Sequence, residues 1–319
     1  MPAASRTATS LRFTLKPPAP FELKLALFGH GWIDLAPNEW DESTQTWRTV
    51  IGRADGADDV ADLEARATPR GLLIRLAGRA PRRADATAAL DRMLRLHHDF
   101  TPFWKQCAAT PGLEWVARRG AGRLLAGATL FEDLVKLVFT TNCSWAATRL
   151  MTSRLIAALG TPALSGRRAF PPPAACAREP ERFWRDVVRA GYRARALHAL
   201  ADRFASGELA ADQFEDRALP TEEVRRRLLA LDGFGPYAAG QALRLLGRHD
   251  DLALDSWCRA KLAQRLGKKR APSDRTIERR FARFGAERGL VLWMELTADW
   301  HGERAGAERD TILALFRRG

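Results

Sequence analysis

The sequence predicts a mainly α-helical protein that opens with a small α+β domain. Three observations carry this reading. Up to about residue 100, short apolar segments alternate with turns rich in Pro, Gly and Asp, as in an antiparallel sheet. Beyond Phe100, apolar residues recur at helical spacing to the end of the chain. The charge changes at the same place: residues 1–100 hold 14 Lys+Arg against 13 Asp+Glu, leaving 37 against 25 for the rest of the 319 residues. The expected domains are therefore 1–100, α+β, and 101–319, helical.

After a start that reads as disordered, Phe21 to Phe28 alternates with Leu23, Leu25 and Leu27 on one face, the pattern of a half-buried strand. Further strands are expected at Trp32 to Leu35, Trp47 to Ile51 and Gly71 to Leu76. Ala84 to His98 has helical spacing at Leu90, Met93, Leu94 and His97 and would cover the sheet. Helices are then expected at Leu130 to Phe139, Ser144 to Leu159, Glu181 to Ala190, Arg193 to Ala205, Thr221 to Leu231, Pro236 to Leu246, Ser256 to Leu266 and Asp274 to Phe284, with a last pair after Gly289. The segment SGRRAFPPPAAC is too rich in proline for a helix and reads as a surface loop. No internal repeat is visible.

The excess of +12 beyond residue 100, mostly Arg, favours a polyanionic partner, nucleic acid before others. No apolar stretch approaches the roughly 18 residues that cross a bilayer, and Met1 to Ser10 lack the apolar core of a signal peptide. No membrane partner is expected, and the chain reads as cytoplasmic and nucleoid-associated. Cys107, Cys143, Cys176 and Cys258 lie far apart and form no C-x-x-C pair, so they read as buried free thiols rather than a disulfide framework or a zinc site.

The segment LLALDGFGPYAAGQAL, within 228–246, carries the first functional signal. A helix ends near Leu231, Gly233 and Gly235 make a turn that no side chain obstructs, and Pro236 opens the next helix where its missing N–H costs nothing. Such a turn presents backbone N–H groups at a helix N-terminus, which suits a phosphate. A plain helix-turn-helix connection is the bland alternative. Asp255, in LALDSW, is placed to cap the helix from Ser256, and a carboxylate there would also stay ionised.

These residues carry a resemblance. LLALDGFGPYAAGQALRLLG followed by LALDSWCRAKLAQRLG resembles the helix-hairpin-helix and Gly/Pro-Asp core of the HhH-GPD DNA glycosylase superfamily, nearest its 8-oxoguanine and 3-methyladenine glycosylase II branches. FEDLVKLVFTTNCSWAATRLM is similar to the helix and minor-groove loop that begin that core, and AGYRARALHALADRF to a segment of 8-oxoguanine glycosylases. An N-terminal α+β domain is a feature of the same two branches. The resemblance implies an antiparallel sheet domain followed by a two-lobed helical domain.

It also implies chemistry. Asp255 falls at the catalytic carboxylate, which would stabilise an oxocarbenium-like state at C1′ while water attacks. Tyr237 stands where strand-cleaving members carry a Schiff-base lysine, which implies a monofunctional enzyme. Lys136 and Lys261 are nearby lysines that read as phosphate contacts or solvated helix faces. Gly233, Phe234, Gly235, Ala238, Arg244 and Lys261 would hold the DNA backbone, with Arg248 adding salt-dependent affinity. Asn142 and Cys143 would form the wedge that fills the gap left by the extruded base, although Asn142 could simply cap the helix from Ser144. After Cys258 no cysteine follows, so the iron–sulfur cluster of one branch is not expected, nor any other metal or cofactor.

Where the 8-oxoguanine branch grips its base with Gln and Phe, GLVLWMELTADW offers Leu292 and Leu296, which argues against that substrate. Trp32, Trp145 and Trp293 are candidate stacking surfaces. The expected partner is double-stranded DNA containing a modified base, bound by a monomer. An alkylated purine, a hypermodified base of phage DNA such as glucosylated hydroxymethylcytosine, and non-catalytic binding of bent or damaged DNA remain open as alternatives at this point.

Overall fold

The computed structural model describes residues 9–52 and 59–302. Met1 to Ala8, expected to be free of a signal peptide, and the second helix expected after Gly289 lie outside the described residues.

Five antiparallel strands form the N-terminal sheet: β1 (Thr9–Leu15), β2 (Glu39–Asp41), β3 (Thr46–Gly52), β4 (Val60–Thr68) and β5 (Gly71–Gly78), in the order β1-β5-β4-β3-β2. Alternation sets the two faces. Leu63 and Ala65 of β4 face Leu76 and Ile74 of β5 across the ladder, and all four are buried. On the other face Glu64 lies opposite both Arg48 and Arg75, and Arg48 Nε donates to Glu64 Oε1 at 3.2 Å. Edge strand β1 is mostly exposed. That explains why its periodicity is faint in the sequence.

Two expected strands are helical. Leu23–Phe28 is α1 and Gly31–Asp34 is a 3-10 turn. The alternation of Leu23, Leu25 and Leu27 arises because α1 is wedged between two cores. Leu23, Ala26 and Leu27 enter one and Leu25 the other.

The helical part begins with α2 (Arg83–Leu94), α3 (Thr101–Ala108), α4 (Glu114–Arg119), α5 (Leu130–Thr140), α6 (Trp145–Leu159), α7 (Pro173–Ala177) and α8 (Glu181–Asp186). It continues with α9 (Ala194–Ala205), α10 (Asp212–Glu215), α11 (Thr221–Leu229), α12 (Pro236–Leu245), α13 (Ser256–Arg265), α14 (Asp274–Phe281) and α15 (Arg288–Thr297). Against expectation the proline-rich segment contributes α7, with Pro173 in its first turn, where a missing N–H is harmless. Cys176 on α7 is fully buried, so this segment is not a mere surface loop. Cys107, Cys176 and Cys258 are buried free thiols, whereas Cys143 is exposed.

The hydrophobic interior has two lobes. One joins the sheet, α2, α5, α9, α11 and α12; the other joins α3 and α4 with α13, α14 and α15. Within the first lobe Asp133 of α5 ties three segments together. Its Oδ1 accepts from Trp32 Nε1 and Gly127 N, both at 2.7 Å, and its Oδ2 from Arg92 Nη1 at 2.8 Å. This knot fixes Trp32, from the N-terminal part, against α5.

Candidate active site

A cavity of about 540 Å³ opens where the lobes meet, and Asp255 and Tyr237 are among the residues on its wall. Trp32, Trp145, Trp257, Trp293 and Trp300 supply most of its aromatic surface. Trp32 and Trp293 are buried, while Trp145, Trp257 and Trp300 are partly exposed. Trp145 runs nearly parallel to Trp32, at 19° with centroids 6.4 Å apart, and its Nε1 donates to Asp34 Oδ2 at 3.1 Å. A Cβ on Gly31 would lie 2.8 Å from the Trp145 ring, so the bare glycine lets that indole sit down. Trp293 Nε1 donates to Gly29 O at 2.8 Å. The three tryptophans singled out in the sequence thus share one cavity.

Asp255 is the N-cap of α13. Its Oδ1 accepts from Cys258 N at 2.6 Å, the expected cap, and its Oδ2 accepts from Gln241 Nε2 at 2.8 Å. Gln241 is held in turn: its Oε1 accepts from Arg244 Nη1 at 2.6 Å, and Arg244 Nη2 donates to Leu252 O at 3.1 Å. The Arg244 guanidinium also lies 4.2 Å from the Trp293 ring centroid. Arg244 is therefore buried in a relay behind the carboxylate, not a phosphate contact as expected from its charge. The segment carrying Asp255 comes close to α12 because residue 240 is glycine; a Cβ there would stand 3.1 Å from Ala253 Cα and Cβ.

Tyr237 is half-buried and donates its hydroxyl to Thr140 Oγ1 at 3.1 Å. Burial, with Asp255 nearby, raises its pKa. Among the described residues lining the cavity there is no lysine. Of the two nearby lysines, Lys136 is fully buried and paired with Glu132, so it is neither a phosphate contact nor a solvated face, while Lys261 Nζ forms a surface ion pair with Asp299 Oδ2 at 2.6 Å. Arg248 likewise donates to Leu219 O and Asp216 O, both at 2.6 Å.

The hairpin lies between α11 and α12. Gly233 has φ +80° and Gly235, the N-cap of α12, makes no side-chain cap. Both glycines are exposed, and the first-turn N–H groups of Tyr237 and Ala238 have no intrahelical partner. Phe234 differs from expectation: its N–H bonds Leu231 O at 3.1 Å and its ring is buried, so it anchors the turn. Gly233, Tyr192, Arg193 and Arg195 border a groove of about 400 Å³.

Asn142 projects from the α5–α6 turn with φ 44°, exposed, and its Nδ2 donates to Tyr192 Oη at 3.2 Å. It does not cap α6; Ser144 does, accepting from Ala147 N. Cys143 beside it directs its thiol back to Phe139 O at 2.9 Å. Leu292 and Leu296 are fully buried in the second lobe's core.

Sequence reasoning missed His30, Gln241, Trp257, Trp300 and Tyr192. Gln241 was findable, because Tyr237 and Gln241 stand four residues apart on one face of α12. Away from the cavity, His98, His249 and Glu287 bring one ligand atom each within 4.8 Å of one another. His249 Nδ1 is 3.2 Å from Glu287 Oε2, and burial lowers the pKa of both imidazoles. The charges of Arg95 and Arg217, also felt there, oppose a bound cation.

No family model matches the sequence, and no curated protein matches it significantly. Solved structures do. MBOgg1 in complex with a low-affinity DNA ligand superposes with a TM-score of 0.70 at 18% identity, covering 92% of this chain and 96% of its own. The 3-methyladenine DNA-glycosylase of Archaeoglobus fulgidus gives 0.66 at 17%, covering 90% and 98%. The 8-oxoguanine glycosylase/lyase of Clostridium acetobutylicum, in its apo form, gives 0.62 at 16%, covering 84% and 93%. The fold of this chain is that of the helix-hairpin-helix DNA glycosylases.

Proposed function

We propose that this protein is a monofunctional DNA N-glycosylase that extrudes a modified base and hydrolyses its N-glycosidic bond. The observation that carries the reading is Asp255, an N-cap carboxylate held by Gln241 on the wall of an aromatic cavity, with a glycine hairpin on the adjacent helix. Neighbours of the same fold include a glycosylase/lyase crystallised with double-stranded DNA and MBOgg1 with a DNA ligand.

In this account the exposed glycines and first-turn N–H groups of α12 hold a phosphate, and Asn142 with Tyr192 fills the gap in the stack. The extruded base lies against the tryptophans. The C1′–N bond breaks with its electron pair leaving on the base, and Asp255 stabilises the positive charge that develops on the sugar. Water adds at C1′ and loses a proton, leaving an abasic site. A lysine near the cavity would allow strand cleavage by a Schiff base, but Tyr237 offers no amine, Lys136 is buried in an ion pair and Lys261 is paired with Asp299.

Aromatic faces suit an electron-poor alkylated purine whose bond is already weak. The size of the cavity, about 540 Å³, also favours a second reading, excision of a bulky hypermodified base from phage DNA. Duplexes carrying alkylated, oxidised or deaminated bases, and phage DNA with glucosylated cytosines, separate the two. The account expects alkali-labile abasic sites in one class and intact strands before alkali. Strand cleavage trapped by borohydride on the protein would contradict the monofunctional assignment.

A further inference from the structure

We propose that His30 selects the base, its Nε2–H donating a hydrogen bond to a carbonyl oxygen on the base held in the cavity. The proposal rests on reading the cavity as a base pocket.

His30 lies on the cavity wall and is only 6% exposed, with its ring edge-on to Trp32 at 4.5 Å. Its Nδ1 is buried with no hydrogen-bond partner among the described residues, which leaves Nε2 as the nitrogen at the cavity. The other hydroxyl, amide and carboxylate side chains named on the wall are engaged with protein. Asp255 is held by Gln241 and Cys258, Gln241 by Arg244, Tyr237 bonds Thr140, and Asp34 accepts from Trp145. Among the described residues, His30 is thus the buried polar side chain of the wall with hydrogen-bonding capacity left to offer a ligand, the indole N–H groups of Trp257 and Trp300 lying at the exposed rim.

Its protonation follows from its surroundings. Burial, and then the nearby charge of Arg244, push the pKa down to about 3 against an opposing pull from Asp133, so the ring is neutral at physiological pH. A neutral imidazole carries one proton. On Nδ1 that proton would be a buried donor without an acceptor; on Nε2 it leaves only an unused lone pair, the less costly orphan. The cavity therefore receives a neutral donor, which bonds an acceptor without repelling a cationic base. A base lacking an acceptor at that edge would leave the donor unpaired, and specificity arises from that penalty.

The test uses the full chain carrying Asp255→Asn and two otherwise identical duplexes, one with 2′-deoxyinosine and one with 2′-deoxynebularine, which lacks the carbonyl. We expect the inosine duplex to bind roughly five-fold tighter, the scale of one net hydrogen bond. Adding His30→Phe should remove the preference, and adding His30→Gln, which retains an N–H donor, should keep it, with the melting temperature confirming that each variant is folded. Equal affinity for the two duplexes, or a preference that survives His30→Phe, overturns the assignment. Base release is scored separately with Asp255 intact. Release without a carbonyl preference sinks the His30 proposal alone, whereas a His30-dependent preference without release from any substrate sinks the glycosylase reading alone.

Discussion

Gln241 Nε2 donates to Asp255 Oδ2 at 2.8 Å, across the gap between the hairpin helix and the segment that enters α13. The bond joins the element that would hold the DNA phosphate to the carboxylate that would meet the sugar. Gln241→Leu should therefore cost about 10²-fold in the rate of base release, the scale of a misplaced reacting group. DNA affinity should change little. Single-turnover rates alongside binding titrations check this, and an equal loss in both would point to general disruption instead.

Gly240 predicts a second effect at the same contact. The Cβ of Gly240→Ala would press on Ala253 at 3.1 Å and shift the segment carrying Asp255. Activity should fall while the protein still melts cooperatively. Gly235→Ala, whose Cβ would meet nothing within 4 Å, should fold normally, because its conformation is extended. Gly233→Ala should cost about 1–2 kcal/mol in stability for its positive φ, and further for its approach to Ala196.

Lys136 is the clearest case of a residue whose chemistry is structural. Breaking its buried pair with Glu132 by Lys136→Ala should destabilise the fold by about 3–5 kcal/mol. Glu132→Gln with Lys136→Met should recover much of that loss. Denaturant melts of the single and double variants measure it. Borohydride trapping on Lys136 would contradict the assignment.

Stability should also depend on pH through His30 and His98, pushed down to about 3 and about 4 by burial first of all. The unfolded chain then takes up protons near pH 6.5 that the native state refuses. These groups favour the native state fully above about pH 6.5 and lose that contribution as the pH falls toward 4. His30→Gln should flatten the fall in melting temperature over this window. An unchanged slope would show that the ring is not held neutral.

Much of this site was legible in the sequence because its signals are local. Gly233 and Gly235 mark the turn, Asp255 marks a cap, and the helices on either side show their period. The errors arose where local pattern met non-local packing. Leu23, Leu25 and Leu27 alternate like a strand, yet they form a helix because two cores bury both of its sides. Arg244 reads as a surface charge, yet it stacks on Trp293 and bonds Gln241. His30 lies far in sequence from Trp293 and Asp255, and only the lobes' meeting brings them to one cavity.

The central claim is that Asp255 carries the chemistry. Mass spectrometry of bases released by wild type and Asp255→Asn, from the same modified duplexes and phage DNA, tests it most directly. The account predicts release by wild type from one class of substrate and none by the variant, which should bind that DNA as tightly or more so. Release by Asp255→Asn at the wild-type rate would contradict it, and tight binding without release by either protein would identify a binder of damaged or bent DNA.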